Sequence, residues 1–149
     1  MSMPPLDFRT IFLEKHAQHV VLIHFPIALF LSGVGIDFWA QWTKREEMKA
    51  VAHVNFLLAA IAVVPTVITG LIAWQWALEG QRLQGTLLLH LILGITSAIF
   101  IWWVWAIHFR ARAKEENELP RYRLIVEFAG VATISLAGHL GGILSGVNR

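Results

Sequence analysis

The stretch Val20–Trp42 reads VVLIHFPIALFLSGVGIDFWAQW, and its only ionisable side chains are those of His24 and Asp37. At about 1.5 Å of rise per residue, a helix of this length crosses a hydrocarbon layer about 30 Å thick. Three further apolar runs follow at Val51–Leu78, Leu87–Phe109 and Leu124–Val147. Their lengths and the short connections between them predict an all-α integral membrane protein. Its expected form is an antiparallel up-down-up-down four-helix bundle that takes up residues 1–149 as one domain. In that arrangement the first and third spans are diagonal partners, as are the second and fourth.

Composition agrees with a bilayer and narrows the chemistry. The chain has 149 residues, 56% of them hydrophobic and 15% charged, against the roughly one quarter charged that a soluble domain carries. Of 12 basic and 10 acidic residues, only Asp37 and Glu127 fall within the four runs; an unpaired charge there costs several kcal/mol. Cysteine is absent, which excludes disulfides, iron–sulfur clusters, thiolate zinc sites and covalently attached c-type haem. A net charge of +2, with the basic residues confined to short loops, gives no basis for nucleic-acid binding. Met1–Lys15 is mixed and polar without a signal-peptide pattern, so the first span is expected to remain in the mature chain.

Tryptophans mark both water boundaries: Trp39, Trp42, Trp102, Trp103 and Trp105 lie toward one set of span ends, Trp74 and Trp76 toward the other. The 1–2 and 3–4 connections hold Lys44, Arg45, Lys49, Arg110, Arg112, Lys114, Arg121 and Arg123, whereas the opposite side holds Arg9, Lys15, Arg82 and Arg149. The positive-inside rule then places the richer loops in the cytoplasm of a bacterial inner membrane and both termini outside.

Seven histidines are sorted by this topology. His24, His90 and His139 fall at similar depth near the outer ends of three different spans. At about 100° per residue, His24 shares a stripe with Ala28, Leu31 and Gly35, His90 with Gly94 and Ser97, and His139 with Ser135 and Ala132. Small residues at such positions let helices pack closely, so all three imidazoles are expected to face the bundle interior. One reading is a haem b whose iron is ligated by His24 and His90 on the diagonal spans, with His139 beside it. A second is a non-haem copper, iron or zinc ion on the same imidazoles. A third has no cofactor, and the histidines only hydrogen-bond across helices in a structural or accessory subunit of a membrane complex.

His53 and His108 lie toward the cytoplasmic ends and form a possible second haem site. Asp37 and Glu127, intramembrane acids near that same side, either pair with basic residues of the adjacent loops or serve a proton pathway or quinone head group. His16 and His19 flank the first span and are expected at the surface. Pro26 and Pro65 are expected to disturb their helices, Pro26 freeing a backbone carbonyl near His24.

The segment His24-Phe25-Pro26-Ile27-Ala28-Leu29, the acid Asp37, His90, and Gly138-His139-Leu140-Gly141-Gly142 together resemble the bacterial four-helix membrane proteins grouped as domain of unknown function 2231. Members of that family often carry proline after an earlier histidine, where this chain has Val20 after His19. The resemblance spans essentially the whole chain and puts weight on His24, His90, His139 and Asp37. It also implies an electron-transfer setting, because relatives occur fused or adjacent to cytochrome-type or Rieske-type domains. The expected partners are the lipid bilayer, a periplasmic redox protein or larger membrane complex, and quinone.

Overall fold

A computed structural model describes residues 17–114 and 119–146, all helix and connections. The helices are α1 (Ala17–Leu22), α2 (His24–Thr43), α3 (Glu46–Ala77), α4 (Gly85–Ala113) and α5 (Arg123–Leu144). Four stretches are long and apolar enough to cross a membrane: α1 with α2, then α3, α4 and α5. The expected all-α four-helix architecture is what the chain adopts. Met1–Lys15, His16, Val147 and Arg149 lie outside the described residues.

Local chemistry sets the element ends. Pro26 has no N–H, so the carbonyl of Leu22 loses its helical donor and the first span is interrupted at Ile23. The Thr66 hydroxyl of α3 lies 3.3 Å from that carbonyl, although its single proton has a nearer acceptor in Ala62 O of its own helix at 2.8 Å. Pro65 by contrast sits inside α3, which runs on through it. Helix α2 ends where Lys44 turns to φ 56° and its N–H donates back to Ala40. The connection from α3 to α4 is short and is tied down by Trp74 Nε1 donating to Gln81 O at 2.9 Å.

Consecutive spans pack side by side, and α5 returns to lie against α2, so the first and third spans stand diagonally. Two glycines make the closest approaches. A Cβ on Gly33 would lie 2.8 Å from Phe56 Cε1, and one on Gly130 would lie 2.8 Å from Phe30 Cζ. Phe30 and Phe56 are fully buried with ring centroids 5.9 Å apart, and Ile101 and Val104 of α4 join them at the centre.

Packing is uneven along the bundle axis. One end carries the basic loops and is called here the basic end; the other carries His19, His24, His90 and His139 and is called the histidine end. In α4 the buried residues begin at Ser97, and in α5 they stop at Ala137. In α2 they begin at Pro26, and in α3 Ala73 is the one buried residue beyond Thr66 among the described residues. The close-packed core therefore fills the basic end and the middle, and at the histidine end the buried side chains come from α2 and α3, while those of α4 and α5 are partly exposed.

Candidate functional site

The densest polar cluster lies inside the basic end. Arg123, at the first turn of α5, directs both Nε (3.0 Å) and Nη2 (2.9 Å) at Asp37 Oδ2 of α2, and Nη2 also donates to Gln41 Oε1 at 3.3 Å. One turn on, Glu127 Oε1 accepts from His108 Nε2 of α4 at 3.1 Å and lies 3.8 Å from Arg123 Nε. Asp37 and Glu127 are fully buried, and Arg123 and His108 are 3% and 4% exposed. The His108 ring packs on Phe56 of α3 at a centroid distance of 4.6 Å, so all four spans meet at this network.

Ligand atoms of Asp37, His108 and Glu127 lie within 4.8 Å of one another, a spacing that would suit a metal ion. The Arg123 guanidinium already supplies the positive charge, with two of its three nitrogens on one carboxylate oxygen, and so takes a cation's place there. Asp37 Oδ1 and Glu127 Oε2 remain buried without a partner among the described residues. Of His53 and His108, expected as a possible second haem pair, His108 is already engaged. His108 is held by Glu127 and Phe56, and His53 is half-buried with its Nδ1 unpaired.

At the histidine end the spatial grouping differs from the expected one. His90 points between spans, and its Nδ1 lies 3.0 Å from the carbonyl of Ala137 on α5. His24 and His139 are exposed. The whole stripe His24, Ala28, Leu31 and Gly35 faces outward, and a Cβ on Gly35 would meet nothing within 4 Å. The inward face of α2 is instead Pro26, Phe30, Gly33, Val34, Asp37 and Ala40. His24 Nδ1 bonds only back to its own helix, to Val20 O at 2.7 Å. In α5 the stripe Ala132, Ser135 and His139 is likewise exposed.

The histidine brought next to His90 is His19, expected at the surface: their ring centroids are 6.5 Å apart. His19 Nδ1 lies 3.1 Å from Thr66 O and 3.4 Å from Thr69 Oγ1 of α3. A signal for this was present in the spacing, since five residues separate His19 from His24 and place them about 140° apart around a helix. Only one of the two can face the bundle. Arg123 could also have been found from the sequence, because it stands four residues before Glu127, the separation at which helix side chains meet.

These features define a multi-pass membrane protein with a charge-compensated polar lock at one end of its bundle and clustered imidazoles at the other. The chain belongs to the family of predicted membrane proteins grouped as domain of unknown function 2231, whose sequence model matches residues 15–148. No curated protein and no solved structure matches it.

Proposed function

We propose that the chain is an electron-transfer subunit that carries a b-type haem at the histidine end of its bundle, passing electrons between a redox protein outside the membrane and a quinone or another membrane component. The observation that supports this reading is the setting of His90, which faces the interior where close packing has given way. A carbonyl can only accept, so Nδ1 of His90 carries the proton and Nε2 is left as the unprotonated nitrogen that ligates iron. The donor set suits the group, since imidazole without thiolate matches b-type haem.

When bound, haem would supply one-electron chemistry, with His90 as one of the residues that would hold it. The protein's own part is to hold His90 in one tautomer through Ala137 and to keep the frame rigid through the network at the basic end. His24 and His139, exposed at the histidine end, are side chains that a partner protein would meet there. The charge asymmetry of the loops supports a bacterial inner membrane with the histidine end on the periplasmic side.

A second reading, a cofactor-free accessory subunit, is favoured by the fact that His19, His90 and His108 all bond to neighbouring spans. The two separate on a dithionite-reduced minus oxidised visible spectrum of detergent-purified protein expressed with ample haem precursor. A sharp reduced α band with a shifted Soret band is expected, and a featureless spectrum with no haem extractable from native membranes would leave the accessory role.

A further inference from the structure

We infer that His19 and His90 form a two-imidazole metal site at the histidine end, and that on the haem reading above, on which this assignment of axial ligands rests, they are the pair that holds the iron. Their rings stand 6.5 Å apart, centroid to centroid, with planes at 80°. Two imidazoles on opposite sides of one metal ion, each about 2.0–2.1 Å from it, put their ring centres roughly 6 Å apart. The observed separation needs only a small adjustment to meet that span.

The protonation pattern points the same way. His19 Nδ1–H donates to Thr66 O and His90 Nδ1–H donates to Ala137 O. Each ring has spent its one proton on a backbone carbonyl of an adjacent span, so both Nε2 atoms are acceptors. Two acceptors cannot hydrogen-bond to one another, and among the described residues neither has a protein partner. A shared Lewis acid satisfies both, and the carbonyl contacts are the supports that orient metal-ligating histidines.

Glycines pin the two rings. A Cβ on Gly70 would come within 2.9 Å of His19 Cε1, and one on Gly141 within 3.1 Å of His90 Cε1. A Cβ at Gly70 would force the His19 ring to shift, and one at Gly141 would press the His90 ring by a few tenths of an ångström. His24, turned about 140° away on the same span, bonds to its own helix and is exposed.

The test compares wild type with His19→Ala, His90→Ala and His24→Ala in the full chain, reading haem per chain by pyridine haemochrome and spin state by electron paramagnetic resonance. Wild type and His24→Ala are expected to hold low-spin haem, and His19→Ala and His90→Ala to lose the low-spin signal at least ten-fold. His19→Gly with added free imidazole separates lost ligation from misfolding, and recovery of the low-spin spectrum is expected. Low-spin haem kept in His19→Ala but lost in His24→Ala would overturn the His19 assignment while leaving the haem reading intact. A wild type without haem would end the haem reading, and the site itself is then decided by Cu(II) titration. Nitrogen hyperfine structure from two imidazoles, absent in His19→Ala and in His90→Ala, supports the site; no such structure in wild type overturns it.

Discussion

At the scale of single residues, Arg123 is the side chain on which the basic end depends. It bonds Asp37 twice and stands beside Glu127, all three buried. Arg123→Met would leave Asp37 without its cation in a low-dielectric site and Glu127 with His108 alone, and breaking a buried pair from one side costs about 3–5 kcal/mol. Unfolding in detergent should show a loss of that size, and Asp37→Asn in the same chain should recover part of it. Arg123→Lys should not restore wild-type stability, because an ammonium cannot reproduce the two-nitrogen fork on Asp37 Oδ2. The exposed His24 offers the contrast: His24→Ala should shift stability by less than ~0.5 kcal/mol in the same measurement. Asp37 and Glu127 were legible as intramembrane acids needing partners. Arg123 was legible as one of the loop cations with which those acids were expected to pair, and the fold draws its guanidinium inward to Asp37.

At the scale of elements, glycine and proline positions decide how the spans meet. Gly130 lets the fully buried Phe30 ring lie against the α5 backbone, with Phe100 Cβ 3.2 Å from where a Cβ would stand. Gly130→Ala should destabilise the protein by about 1–3 kcal/mol, the usual cost of overfilling a packed core, readable as a lower unfolding midpoint. Thr66 of α3 places its hydroxyl between Ala62 O of its own helix, at 2.8 Å, and the Leu22 carbonyl that Pro26 leaves free, at 3.3 Å. Thr66→Val keeps the volume and removes the hydroxyl from both acceptors, so a loss of about 0.5–1.5 kcal/mol is expected in the unfolding midpoint. The four spans were readable from hydropathy alone. The facing of α2 was not, because small residues occur both on its packed side, at Gly33, and on its exposed side, at Ala28 and Gly35. Residue size marks where a helix can approach closely and does not say which neighbour uses the opportunity.

At the scale of the whole molecule, the bundle is tight at one end and open at the other. Amides of α4 before Ser97 and of α5 after Ala137 should exchange faster in detergent than those in the core. Mass-spectrometric exchange with equal protection along both helices would remove the asymmetry on which an outer site depends. The charge difference between the two faces predicts the orientation. A phosphatase fused after Arg149 should be active, and a fluorescent protein inserted in the loop between α4 and α5 should be bright inside the cell. The reverse pattern would place the histidine end in the cytoplasm and exclude a periplasmic partner there.

The amino-acid sequence by itself determined the membrane, the four crossings and the helical class, because burial in hydrocarbon demands about 20 apolar residues per span and expels charge from them. It also picked out the ionisable residues that must have a reason to be inside, including Asp37, Glu127 and His90. Only the tertiary structure decided their company: Asp37 with Arg123, Glu127 with His108, and His90 with His19 in place of His24. Helical periodicity fixes the angle between two residues of one helix, but the rotation of each helix about its axis is set by packing against the others. In this bundle the interlocking of Phe30 and Phe56 with Gly130 and Gly33 fixes that rotation for the first span.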